Sequence, residues 1–370
     1  MNWDRIFTFP LVTIGLTLVV GLFSARFPRS KEALLYGAQF LIGLVAIHRV
    51  LYRNTVGDRT LRFLFLLSLV AVTFGDAAYY LLYYLVGLPY GSKELFFFSI
   101  IPYCSSYVLA AAVFYLLLHR GGGAEFLRSR IFWFTAFLCV FFSSAYILVP
   151  GLQKLAAEGP TVINIIYVMS GITTMILGPL ALFTVFSSRD IRWAFIGLGF
   201  FGFVVLDWGI KSEILTYGEL RFSLYDLMWF HSMLMVAVGI ILGEQLSPQI
   251  EPVNLNKLTD SIRFYPTVLI SIPALFVPSL IKTNVQSVVL IIMAFYVLLF
   301  LMLVISGVVN SRIEHVSHVL SELSQRNIDN NSLSSIGETM PREFQEIVSS
   351  FLSVRINERK EAEERLFASA

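Results

Sequence analysis

Five ionisable side chains stand inside otherwise apolar runs: Asp76, Asp207, Lys211, Asp226 and His231. An unpaired charge in hydrocarbon is costly, so groups of this kind bind something, line a route or tie helices together. Asp207 and Lys211 are four residues apart, which stacks them on one helical face and permits a direct ion pair. Asp76 shares a face with Tyr80 and Asp226 with Trp229, while Tyr83 and Trp208 fall at similar inferred depth. Aromatic walls with a few fixed charges are the usual make-up of a small-molecule site. Asp76, Tyr80, Tyr83, Asp207, Trp208, Lys211, Asp226, Trp229 and His231 are therefore the expected ligand-binding set. A structural reading stands beside it: acids with Tyr or Lys neighbours also knit helices together, and Tyr or Trp near a span's end anchors it at the interface. Asp226 and Lys211, closest to the span ends, suit snorkelling or anchoring.

Other chemistry finds less support. His231 has the residue type of a haem ligand or proton relay, but His48 and His119 lie toward the opposite side, so a hydrogen-bonded core histidine is expected. Cys104 and Cys139 both sit in apolar runs, which suggests buried thiols rather than a disulfide or metal site. No catalytic residue, metal ligand or cofactor is assigned. Gly121-Gly122-Gly123 is no phosphate loop, because no strand precedes it and no Gly-Lys-Ser/Thr follows; it suits a flexible connector.

The elements that must position these groups are membrane helices. Hydrophobic residues make up 56% of the chain and charged residues only 14%, with mean hydropathy +0.74, well outside soluble-domain composition. A net charge of +2 gives no case for nucleic acid. A crossing needs about 20 mostly apolar residues, and ten stretches qualify: roughly 6–24, 32–52, 61–88, 95–118, 131–152, 161–186, 191–214, 222–244, 264–282 and 285–309. The first is read as a retained span, since its leading MNWDR is weakly basic and no small-x-small cleavage site follows. Arginines cluster around 49–62, 120–130 and 189–192, with Lys257 and Arg263 further on. That bias places those loops and both termini in the cytoplasm. Arg26, Arg29 and Lys31 argue the other way. The loops on the outer side are too short to form a domain, so a stimulus would be received within the bundle or at its edge.

A weak internal echo divides the first eight spans into candidate repeats, 1–122 and 126–248. Phe74-Gly75-Asp76 in span three answers Asp207-Trp208-Gly209 in span seven, and the following spans open on Phe98-Ser99 and Phe222-Ser223. Repeats of this kind place ligand sites at their junction. The polar stretch Ser247 to Arg263 then sets off a hairpin within 249–309. Pro266, Pro273 and Pro278 predict a kink in span nine, whereas span ten has no proline and can run on into the cytoplasm.

Past the membrane, Val309, Ile313, Val316, Leu320 and Leu323 recur at alternating intervals of four and three, a heptad seam. An Asn- and Ser-rich connector from Asn327 to Ser335 follows, and a second helix opens near Pro341 with Glu343-Phe344, Ile347, Phe351 and Val354. At these residues the segment 310–366 resembles the HAMP linker of bacterial transmembrane receptors. It departs from the family in having no proline beside Arg312, Asn327 where glycine is usual, and Glu358 where an apolar residue is common. The charged run Arg355 to Leu366 resembles the signalling helix that leads to an output domain, with 367–370 as a tail.

The expected fold is all-α: a polytopic membrane bundle of about ten spans, followed by a cytoplasmic helix-connector-helix coiled coil. The resemblance implies a multi-pass receptor of the bacterial inner membrane, a homodimer through its cytoplasmic helices, of the sensor histidine kinase or diguanylate cyclase type. Any kinase or cyclase would lie beyond residue 370, so the chain as given is not expected to be an enzyme. Its partners would be a small ligand, apolar molecules included, and the lipid bilayer. The competing readings are a carrier with a dimerising regulatory tail and, on the acid cluster alone, a membrane-embedded enzyme.

Overall fold

The computed structural model describes residues 12, 13, 15–17, 19, 20, 22, 31–52, 58–187, 191–217 and 224–241. Spans nine and ten, the stretch 247–263 and the HAMP-like segment lie outside the described residues, as does most of the first span.

The described chain is all-helical. Helix α1 is Lys31–Tyr52, and α2 runs from Arg59 to Leu85, α-helical over Arg59–Tyr79 and π-helical over Tyr80–Leu85. Helix α3 joins Lys93–Leu95, a π turn at Phe96–Ile100 and Ile101–Gly122; α4 joins Arg130–Ser143, a π turn at Ser144–Leu148 and Val149–Glu158. Helices α5, α6 and α7 are Val162–Ser187, Ile191–Tyr217 and Leu224–Ile241. Six of these seven are long and apolar enough to cross a membrane; α7 carries a shorter apolar run, Tyr225–Ile241. The seven match the second to eighth expected spans to within a few residues. The full count of ten concerns segments outside the described residues.

Local chemistry sets the boundaries. Asp58 caps α2 by accepting from the Leu61 amide at 2.9 Å, Ser92 caps α3 through Leu95, and Thr161 accepts from the Asn164 amide at the start of α5. Gly159, at φ 81°, ends α4 in a conformation that disfavours any side chain. Proline does not break α5: Pro179 sits inside a continuous helix, so Gly171, Gly178 and Pro179 form no interruption there.

The helices pack as a closed circuit: α1 on α2, α2 on α3, α3 on α5, α5 on α6, α6 on α7 and α7 back on α1, with α4 laid against α5. Helix α6 is innermost. Its apolar window is 94% buried against 33% for α1, which marks α6 as core and α1 as a face open to the bilayer. Aromatic side chains bring α2 and α3 onto it, through Phe65 against Trp193 and Phe114 against Phe200. Lipid is as apolar as leucine, so close packing rather than apolar burial must hold such helices together. Gly199 does this at the α6–α7 crossing, where an added Cβ would stand 2.6 Å from the Ser232 carbonyl oxygen. Phe97, Trp133 and Phe137 instead point outward, as lipid-facing side chains do.

At the arginine-rich end Arg62 donates to the carbonyls of Val50 and Leu51, tying α2 to the end of α1, while Arg120 of α3 pairs with Asp58. The charged groups singled out in the sequence lie toward the other end.

Candidate functional site

The sequence dictates where the polar groups emerge. Asp76 lies on α2 one turn before the helix widens into its π segment, and the π turn redirects Tyr80, Tyr83 and Tyr84 away from the α-helical register. The neighbouring π turn of α3 carries Ser99, which donates to the Gly75 carbonyl at 3.1 Å. Two widened turns thus meet beside Asp76, an arrangement often seen at functional sites.

Asp76 is buried, with 1% of its surface exposed. Its Oδ1 accepts from the Tyr103 hydroxyl at 2.6 Å and the Trp229 indole at 2.9 Å, joining α2 to α3 and α7. Its Oδ2 has no hydrogen-bond partner among the described residues. Asp207 and Lys211 form the expected pair, 3.5 Å apart on α6. Lys211 also donates to the Tyr90 hydroxyl at 2.6 Å, with its Nζ 5.3 Å from the ring centroid. These two distances differ by about the separation of a phenol oxygen from its own ring centre, so the ammonium lies near the ring plane, beyond the oxygen. It is a hydrogen bond, not a cation above the ring face. Asp226 accepts from Tyr36 at 3.1 Å and more weakly from Tyr84 at 3.4 Å, tying α7 to α1 and α2. Asp226 and Lys211 therefore face inward instead of snorkelling.

These groups surround a cavity lined by Tyr36 of α1, Tyr79 of α2, Tyr90 of the following loop, Ile100 and Tyr103 of α3, Asp207, Ile210 and Lys211 of α6, and Tyr225, Asp226 and Trp229 of α7. Its free volume is about 50 Å³. That is room for roughly three to five waters, or a compact group of the same size.

Four of the nine expected residues, Asp207, Lys211, Asp226 and Trp229, line the cavity, and Asp76 stands behind its wall, bonded to two lining side chains. Tyr80 stacks on Tyr36 at 5.6 Å and Tyr83 on Tyr79 at 5.1 Å, supporting the lining from outside it. Trp208 turns the other way, donating to Ser143 at 2.9 Å and stacking on Phe142, where it fastens α6 to α4. His231 pairs with Thr17 through Nδ1 at 2.8 Å, apart from the cavity, as a hydrogen-bonded histidine between helices.

The lining residues that sequence reasoning missed are mostly tyrosines: Tyr36, Tyr79, Tyr90, Tyr103 and Tyr225. The available signal was their crowding at span ends around Asp76 and Asp226, which is also what interface anchors look like. Cys104 and Cys139 are buried and free, and no group of metal-binding side chains occurs among the described residues.

The arrangement can hold a small polar molecule by hydrogen bonds and charge within aromatic walls. No protein-family profile, curated protein or solved structure matches the chain.

Proposed function

We propose that this protein is a membrane-integral signal receptor, in which a small ligand settles into the aromatic cavity and the change passes through the last two spans to a dimeric cytoplasmic linker. The observation that carries the reading is the origin of the lining, which comes from α1, α2, α3, α6 and α7 together. A ligand bridging five helices stabilises the arrangement that fits it best, which is the differential contact any two-state switch requires. Coupling of about 1–3 kcal/mol is enough for such a switch. The output side rests on the resemblance of 310–366 to HAMP linkers, and the inner-membrane location with cytoplasmic termini rests on the arginine-rich loop ends.

The test is disulfide crosslinking of a Leu320→Cys variant in native membranes, on the heptad seam. The receptor reading expects a crosslinked dimer whose yield changes when Ile210→Trp fills the cavity. A monomeric tail, or a yield indifferent to the filled cavity, refutes it.

A carrier is the second reading, and one observation favours it. Exchanging α1, α2 and α3 with α5, α6 and α7 maps the helix pairings onto one another: α1–α2 onto α5–α6, α2–α3 onto α6–α7, and α3–α5 onto α7–α1. This supports the proposed duplication of 1–122 in 126–248, a plan common in carriers. The continuous α5 speaks against the broken helices carriers often use. Solute flux in proteoliposomes that disappears in Asp207→Asn would favour the carrier.

A further inference from the structure

Behind the cavity wall, two touching helix surfaces carry three buried oxygens without hydrogen-bond partners. We infer that these oxygens, from Asp76 and Thr73 of α2 and Gln39 of α1, bind a sodium ion, with water completing its coordination. The site is separate from the cavity and does not depend on what the cavity holds.

Gln39, Thr73 and Asp76 are 0%, 2% and 1% exposed. Among the described residues, Gln39 Oε1, Thr73 Oγ1 and Asp76 Oδ2 have no hydrogen-bond partner. Buried polar atoms are normally satisfied, so three of them on one helix contact call for a common partner. Asp76 adds a charge. Both of its bonds come from neutral donors, Tyr103 and Trp229, and both end on Oδ1. No cationic side chain pairs with it among the described residues. A carboxylate inside a membrane bundle needs a counter-charge, and Oδ2 is the atom left to receive one.

The helix register brings the three residues together. Tyr36 stacks on Tyr80 at 5.6 Å, and Thr73 meets Gly43, where an added Cβ would stand 2.7 Å from the Thr73 Cγ2. A later residue of α1 thus pairs with an earlier one of α2, so the helices run antiparallel. Gln39 lies four residues from Gly43 toward Tyr36, and Asp76 three from Thr73 toward Tyr80. The two contacts therefore bracket Gln39 and Asp76 on facing surfaces. Helix α7 closes the third side within about two turns. Its Asp226 carbonyl accepts weakly from Gln39 Nε2 at 3.5 Å, its Trp229 donates to Asp76 at 2.9 Å, and its Met233 Cε would lie 3.1 Å from a Gly43 Cβ.

Carboxylate, amide and hydroxyl oxygens are hard ligands, the kind that suits hard cations rather than soft or transition metals. The set also differs from the clusters of His, Cys, Asp and Glu that hold such metals, which the described residues lack. One acid balances one positive charge, whereas a divalent ion would leave net charge in the membrane interior. The tight approach of Gly43 to Thr73 and Met233 favours sodium over the larger potassium ion.

The experiment measures binding of radioactive sodium to the purified full chain in detergent, with thermal midpoints in sodium, potassium and N-methyl-D-glucamine chloride at equal ionic strength. Saturable binding displaced by unlabelled sodium and poorly by potassium is expected, with the highest midpoint in sodium. Asp76→Asn, which keeps an oxygen for Tyr103 and Trp229, should abolish saturable binding and the sodium-dependent rise in midpoint. Thr73→Val keeps the side-chain shape, and Gln39→Leu removes the amide; each should weaken binding about three- to tenfold, the loss of one polar contact. If Asp76→Asn yields no folded protein, Thr73→Val decides, and undiminished binding in it overturns the assignment. No saturable binding, equal displacement by potassium, or full binding in folded Asp76→Asn also overturns it. A midpoint that responds to acid and not to sodium assigns the Asp76 Oδ2 to a proton and overturns the sodium site.

Discussion

The Trp229 indole donates to Asp76 Oδ1 at 2.9 Å, a bond from α7 to α2 that shares its acceptor with the Tyr103 hydroxyl of α3 at 2.6 Å. Two donors on one buried oxygen lock three helices at the level of the cavity wall. Their loss would leave buried donors without partners, a cost of about 1–3 kcal/mol for each neutral group. Asp76→Ala should therefore lower the thermal midpoint more than Trp229→Phe does, because it strands both donors at once. A double-mutant cycle between Asp76→Ala and Trp229→Phe should return a favourable coupling energy, and a coupling of zero would mean that this bond does not tie α7 to α2.

Asp207 and Lys211 make a different prediction because they form a charge pair. Removing one partner strands the other, at a cost of about 3–5 kcal/mol for a buried pair. Lys211→Met should thus destabilise the protein strongly. Asp207→Asn combined with Lys211→Met should recover part of the loss, since no charge of the pair then remains. Chemical denaturation of the three proteins in the same detergent is the measurement: a double variant less stable than Lys211→Met alone contradicts the pairing.

The span positions and the Asp207–Lys211 pair were legible because both follow from spacing along one helix. Apolar runs of crossing length predict α1 to α7 closely, and residues four apart on one helix must stack. Contacts between helices were not legible. Nothing in the spacing says that Trp208 turns toward Ser143 while Trp229 turns toward Asp76, because each depends on how its helix is rotated by its neighbours. The inward turn of Asp226 and Lys211 was missed for a related reason. Both lie near helix ends, where sequence alone favours an outward path to water, whereas partners from other elements, the tyrosines of α1, α2 and the loop after α2 among them, hold the two side chains inward. The π turns left no readable signature, yet they set the positions of Tyr80, Tyr83 and Tyr84.

Close helix packing at Gly199 separates two glycine substitutions that look alike in sequence. An added methyl at Gly199 would meet the Ser232 carbonyl oxygen at 2.6 Å, so α6 and α7 must move apart; overpacking of this kind costs about 1–3 kcal/mol. Gly37 on α1 has open space where its Cβ would go. Gly37→Ala should be neutral or stabilising by up to about 1 kcal/mol through helix propensity. Thermal midpoints measured side by side should fall for Gly199→Ala and hold or rise for Gly37→Ala, and the reverse order would contradict the packing.

At the opposite end Asp58 gives a pH dependence. The Leu61 backbone amide that it caps, and then the Arg120 guanidinium beside it, hold its carboxyl below the usual carboxylate range despite an opposing desolvation effect. A depressed folded-state value means that the folded protein binds the proton less readily than the unfolded chain does. The stabilisation is therefore complete above the unfolded value of about 3.9, and it disappears as pH falls through the lower folded value. Asp58→Asn keeps a capping oxygen but has no proton to gain. Its thermal midpoint should start below that of the native protein at neutral pH and decline less steeply below about pH 4, so that the two curves converge in acid. Parallel curves over that interval would show that the charge of Asp58 contributes nothing to the folded state.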